Sequence, residues 1–329
     1  SRQQEDPSVL REMELHRDPD AEPASEEPEQ APQCPFIASV DRFENREISD
    51  HTRIDDWFSE KVDSYRCPAG LGPEGQALRG IHARGLGVLA AKLHVLDQTL
   101  PTLPEGSVRP GVFGSGGHTF DVILRYSTSG GPRFESMPDN DADQAVGLGL
   151  KVLTHRGKTA HDLLFINSPV FMTNDPVELV FQEDASALRD SYAAAREQAV
   201  QQVFNETQYT ASAFRWGENA AVKYRLRPIQ DATEVLSDAY RTRYDEIIQE
   251  RGSRCLEEAL ALVVGQATRA LDFNLEIQFA DPEDARSHGC PVDDERIDWK
   301  SPWYCVAKLE VPAQKPMDGE SLAFNPFHV

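Results

Sequence analysis

Polar side chains able to bind or transform a small molecule fall in three short motifs of the 329-residue sequence. His82 and Arg84 lie in "IHARG", Arg125 and Ser127 in "LRYSTSG", and Asn167 closes the apolar run "DLLFIN" before a Ser-Pro pair. A spacing of two puts His82 with Arg84, and Arg125 with Ser127, on one side of an extended chain. Gly80 and Gly85 allow close backbone approach around the histidine. Alone, a histidine beside a strand fits a hydrogen-bonded structural residue as readily as a catalyst. On inward faces of neighbouring strands, however, such a polar set is costly unless something polar shares the space.

The elements that must position these groups are visible in the hydrophobic pattern. In "TFDVILRYSTS", Val122, Leu124 and Tyr126 alternate with Ile123, Arg125 and Ser127, the period of a strand. "AVKYRLRP", "DFNLEIQFA" and "WYCVAKLEVP" read the same way, with Phe273, Leu275, Ile277 and Phe279 on one buried face. The spacing predicts strands near 80–96, 119–129, 147–154, 161–167, 220–228, 271–280 and 302–311. Helical stretches are expected over 175–204 and 231–271, starting at Asp175-Pro176 and Asp231. Strands surrounding two helical insertions predict an α+β fold, an antiparallel, closed β-barrel with helices outside it and room for a small ligand at the barrel wall.

Residues 1–33 are acidic and proline-bearing, with too little apolar surface to offset ordering entropy. The expected division is therefore an acidic, largely disordered segment 1–45 and a folded core 46–329. A formal net charge of −22 repels polyanions, which excludes nucleic acid as a non-specific partner and favours a neutral or apolar ligand. No apolar run reaches the roughly 20 residues of a membrane span. Five cysteines without a C-x-x-C spacing suit a reducing compartment, so the chain reads as soluble and cytoplasmic. His155 and His161 flank "RGKTA" and are expected at an exposed turn. Asp293, Asp294 and Glu295 read as a solvated acidic loop, "FGSGGH" (113–118) as a flexible connection, and Cys305 as a packed thiol.

Six motifs in one order, "IHARG", "LRYSTS", "GLGLKV", "DLLFINSPVFMTNDP", "LEIQFADPEDA" and "SLAFNPF", resemble the haem catalase superfamily with its smaller peroxidase and hydroperoxide-rearranging members. The resemblance runs from about residue 50 to the end. It implies a haem b cofactor, with His82 as the distal histidine, Asn167 as the asparagine that holds the peroxide, and Ser127 as the hydroxyl that orients the histidine. Arg125 would lie near the haem propionates, with Arg84 and Phe171 as further cofactor contacts. An imidazole can take a proton from one peroxide oxygen and return it to the departing one, while an amide donates to the oxygen that gains charge. The resemblance also implies a hydrogen peroxide or organic (fatty-acid) hydroperoxide substrate and a homo-oligomer. It places the proximal tyrosine ligand beyond Val329, leaving the metal ligand unassigned. Val146-Gly147-Leu148-Gly149 lacks a basic residue common in the family, and Met172 stands where a phenylalanine is frequent. The alternative function is a binding or scaffold protein on the same fold, without haem chemistry.

Overall fold

The structure, a computed structural model, describes residues 82, 84–97, 109–114, 116–128, 145–154, 156–171, 202–210, 212–217, 220–250, 254–280, 292, 294–317 and 322–324. All fall within the compact unit Cys34–Val329. The expected tail 1–45, the first helical stretch up to residue 201, His155, Met172 and Asp293 lie outside the described residues.

Nine strands form one antiparallel sheet: β1 (Arg84–Val95), β2 (Thr119–Thr128), β3 (Val146–Leu153), β4 (Thr159–Ile166), β5 (Gln208–Tyr209), β6 (Phe214–Trp216), β7 (Ala220–Pro228), β8 (Leu271–Phe279) and β9 (Trp303–Val311). The strand order is β5-β4-β3-β2-β1-β9-β8-β7-β6, and a further β5–β7 pairing closes eight of the strands into a barrel, with β6 hung on β7. The seven longer strands match the hydrophobic alternation in the sequence.

Alternation fills the interior. Val122, Leu124 and Tyr126 of β2 stand opposite Val152, Leu150 and Leu148 of β3, and Leu150 and Leu148 in turn oppose Leu163 and Phe165 of β4. All are at most 3% exposed, as are Leu89 and Leu93 of β1, and Leu275, Ile277 and Leu309 across the barrel. Phe113, expected in a flexible connection, instead lies in a short 3₁₀ turn, Gly111–Gly114, and enters the core. Its ring sits 5.2 Å from Trp216 and 5.9 Å from Tyr224. His161 departs from its expected exposed turn as well. It is the third residue of β4, opposite Val152, so the pleat turns it into this aromatic cluster, 6.1 Å from Phe113.

The second helical stretch divides. Asp231 does cap its start, its carboxylate accepting from Thr233 N, but the element it caps is a 3₁₀ turn, Ala232–Val235. Two helices come next, α1 (Asp238–Glu250) and α2 (Cys255–Gln266). Leu256, Ala259, Leu260, Val263 and Val264 make one fully buried face of α2. Leu260 reaches Gly87 of β1, where a side chain would begin only 3.1 Å from it and from Pro316. The helix thus packs against the first part of β1.

Candidate active site

The outer rows of β2, β3 and β4 line up through register alone. Ser127 stands opposite Gly147, and Gly147 opposite Ile166; Arg125 stands opposite Gly149, and Gly149 opposite Leu164; Lys151 stands opposite Asp162. The polar set is therefore on the outer face of the barrel, correcting the expected inward orientation. The interior parity is taken by the large apolar side chains, which gain more by burial there.

A cavity of about 560 Å³ lies over this wall. His82, Arg125 and Ser127 border one part of it, Leu164, Ile166, Phe171, Phe214 and Phe324 supply apolar lining, and Asp162, Thr210, Ser212 and Glu295 complete the rim. The register explains the floor. Gly147 and Gly149 leave bare backbone in the middle of the wall. A Cβ at Gly147 would lie 2.5 Å from His82 Cε1, and one at Gly149 would lie 2.7 Å from Phe324 Cζ. Rings thus rest directly on the strand at both positions.

His82 adopts φ 54°, the one positive φ at a non-glycine among the described residues. That conformation costs about 1–2 kcal/mol and is held by side chains of β2. Arg125 Nη2 donates to His82 O at 3.1 Å, and Ser127 Oγ meets His82 Nδ1 at 3.2 Å. Ser127 Oγ in turn donates to Gly147 O at 3.4 Å. With the hydroxyl proton so directed, Nδ1–H is the donor to Ser127 and Nε2 carries the lone pair. Burial lowers the His82 pKa to about 4, with the nearby Arg125 charge adding to the effect. The imidazole is therefore a neutral base at physiological pH.

The structure brings His82, Ser127, Arg125 and Phe171 together at the cavity. Phe171 is fixed there by its N–H, which donates to Glu295 O at 2.9 Å. Asn167 does not enter. It follows Ile166, so alternation turns it off the cavity face; its Oδ1 accepts from Val146 N at 3.0 Å and its Nδ2 donates to Glu206 at 3.4 Å. The amide locks the end of the β3–β4 pair, and Ile166 takes the place at the cavity. Arg84 is not among the bordering residues either. The turn at His82 breaks the extended geometry that would have set the two on one side, and Arg84 begins β1 opposite Thr128.

The glycine pair, Leu164 and Ile166 could have been found from alternation in "VGLGLKV" and "DLLFI". Phe214, Thr210 and Ser212 carried no signal, since they arrive from short or irregular segments, while Glu295 and Phe324 fell within the acidic loop and the "SLAFNPF" motif without being given a place at the site. Of the acidic loop, Asp294 pairs with Arg296 at 2.8 Å, and Ser212 donates to the Glu295 carboxylate. Cys305 lies in β9 and donates to Ala307 O at 3.5 Å. A second cavity, about 810 Å³, lies between β1, α2 and residues 314–317, and Arg125 borders both.

The closed antiparallel barrel is that of the catalase-like fold. Three solved structures of catalases carry that comparison. The chain is similar to a bacterial catalase at 18% identity and TM-score 0.57, over 76% of this chain and 52% of that one. It is similar to a fungal catalase at 19% and 0.54, over 76% and 54%, and to catalase A from Saccharomyces cerevisiae at 18% and 0.54, over 76% and 55%. The chain thus spans about half the length of these catalases. No protein-family model and no curated protein matches the sequence.

The outer wall suits a flat macrocycle on its histidine side. Gly147 and Gly149 leave room that a Cβ would fill and on which the His82 and Phe324 rings rest, and Phe171, Leu164 and Ile166 give apolar borders. Among the described residues bordering the cavity there is no tyrosine or cysteine to serve as an axial anion. Nor do the described residues hold a cluster of three or more His, Cys, Asp or Glu suited to a metal ion.

Proposed function

We propose that the protein is a catalase-like haem enzyme that reacts with an organic hydroperoxide at the outer-wall cavity. The observation that carries this reading is the chain His82 Nδ1, Ser127 Oγ, Gly147 O, which leaves a neutral imidazole with a basic Nε2 beside a ring-sized glycine patch. Haem, held beside the His82 ring and over Gly149 with Arg125 toward its carboxylates, would supply the iron at which an O–O bond is broken. The residues of the chain do the rest. His82 Nε2 takes the proton of the hydroperoxide and returns it to the departing oxygen, so that no net proton is consumed. Ser127 holds the tautomer. Arg125 anchors the His82 carbonyl and offers a planar cation to a carboxylate.

Between hydrogen peroxide and an organic hydroperoxide, the lining favours the latter. Ile166, Leu164, Phe171 and Phe214 offer dispersion contacts to an alkyl chain, and the Asn167 amide is committed elsewhere. The same commitment favours the second reading, a binding protein without peroxide chemistry. A homo-oligomer in a cytoplasmic setting completes the proposal; among the described residues no helix is long and apolar enough to cross a membrane.

The test is to purify the full chain, titrate hemin into it, and follow consumption of cumene hydroperoxide and of hydrogen peroxide, beside a His82→Gln variant. A Soret band with faster consumption of the organic hydroperoxide, lost in the variant by about 100-fold or more, is the expected result. Hemin binding with equal turnover by the variant would move the chemistry away from His82. Absence of any hemin binding would favour the second reading.

A further inference from the structure

Phe324 occupies the place that the proposed function gives to a ligand. Its Cζ, Cε2 and Cε1 lie 2.7, 2.8 and 2.9 Å from where a Cβ of Gly149 would stand, so the outer half of the phenyl ring is centred over that glycine. Lys151, the next outward residue along β3, places Nζ 5.1 Å from the ring centroid, within cation–π range. That ammonium is itself fixed by both Asp162 oxygens, at 2.7 and 2.8 Å. Residues 322–324 belong to no strand or helix. The preceding anchor is Met317, bonded to Val88 through both backbone groups at 2.9 and 3.0 Å. Seven residue steps separate it from Phe324, a tether of up to about 25 Å. Phe324 takes no part in the strand pairings, so moving its ring breaks none of the barrel's ladders.

We infer that Phe324 is a built-in occupant of the glycine patch, a strap residue that a planar ligand must displace before it can lie on β3. The inference rests on the proposed reading of the patch as a ring site. It makes apparent affinity the product of intrinsic affinity and the fraction of molecules with the strap lifted. Phe324 then acts as a threshold: ligands that extend from the His82 ring over Gly149 displace it, and small apolar molecules that use only the Phe171 part of the cavity do not.

Iron-free protoporphyrin IX is the probe, because it tests the patch without any axial ligand. Its affinity is measured by fluorescence for the full chain, Phe324→Ala and Gly149→Ala. In parallel, 4-fluorophenylalanine placed at position 324 reports the ring's surroundings through its ¹⁹F resonance. The expected results are binding about tenfold tighter in Phe324→Ala, weaker binding in Gly149→Ala, and a ¹⁹F line that moves to its solvent value either on adding porphyrin or, without any ligand, in Gly149→Ala. Opposite signs for the two variants separate displacement from general loosening, which would move both the same way. Equal affinity of the unchanged chain and Phe324→Ala overturns the strap while leaving the functional reading intact. Failure of all three proteins to bind porphyrin overturns that reading along with the displacement, and a ¹⁹F line indifferent to Gly149→Ala overturns the packing itself.

Discussion

His82 and His161 show how one residue type is put to opposite uses by two strands. His82 lies before β1 in a left-handed turn that motif spacing does not reveal, and the bonds to Arg125 and Ser127 turn its ring to the cavity. The spacing argument that paired it with Arg84 assumed an extended chain, so it located the histidine and misplaced the arginine. For Asn167 the type suited a ligand donor, while the parity of β4 sets Ile166 rather than Asn167 along the cavity. His161 lies inside the barrel, 7% exposed, with Nε2 lacking a hydrogen-bond partner in the protein. Burial lowers its pKa to about 4, partly offset by Asp162. A folded-state pKa below the unfolded value of about 6.5 means the unfolded chain binds more protons between those limits. Stability from this group is thus complete above pH 6.5 and is lost as pH falls toward 4. His161→Phe is expected to remove about 2 kcal/mol of the stability difference between pH 7.5 and pH 5, read from urea unfolding at both values. An unchanged difference would show that His161 is not held neutral. His82 obeys the same sign, so its base form should persist in a ¹³C or ¹⁵N imidazole titration down to about pH 4.

Strands β1 to β4 and β7 to β9 were legible because each is long enough to display its period and pairs with apolar neighbours. The two residues of β5 and three of β6 show no period at all, yet β5 closes the barrel, and β6 carries Phe214 to the cavity. The break between α1 and α2 falls at a stretch that holds Gly252 and Ser253, poor helix formers, so this division was legible and the single helical stretch overlooked it. Within β3 and β4, the pair Lys151–Asp162 fastens the wall beyond the glycines, with side chains only 7% and 0% exposed. Such a pair is weak support as a unit and dangerous to halve. Lys151→Met should destabilise the protein by about 3–5 kcal/mol, because Asp162 is left charged and buried. Lys151→Met with Asp162→Leu should recover most of the loss in chemical denaturation. A double variant no better than the single would mean that the pair specifies the wall rather than merely balancing charge.

For the molecule as a whole, 55 acidic residues against 33 basic ones set a repulsive field. Salt screens that field over a Debye length of about 8 Å at physiological strength. It also weakens exposed ion pairs such as Lys92–Asp121 and Arg243–Glu246, but each of these contributes only about 0–1 kcal/mol. Repulsion should dominate, so raising NaCl from 10 to 150 mM is expected to lift Tm by about 3 °C in a thermal melt; a fall would assign the larger share to the ion pairs. The outer-wall site has another consequence. Along β2, β3 and β4, consecutive residues write two interleaved texts, one addressed to the core and the other to the outer-wall cavity. By register, residues 122, 124, 126, 148, 150, 163 and 165 share the first row and 125, 127, 147, 149, 164 and 166 the second, and the cavity also touches 148 and 165. A saturation scan of these strands, scored once for abundance and once for porphyrin retention among abundant variants, should therefore return two alternating profiles out of phase by one residue. Such a chain can re-line its cavity by editing every second letter while its scaffold goes on being spelled by the others.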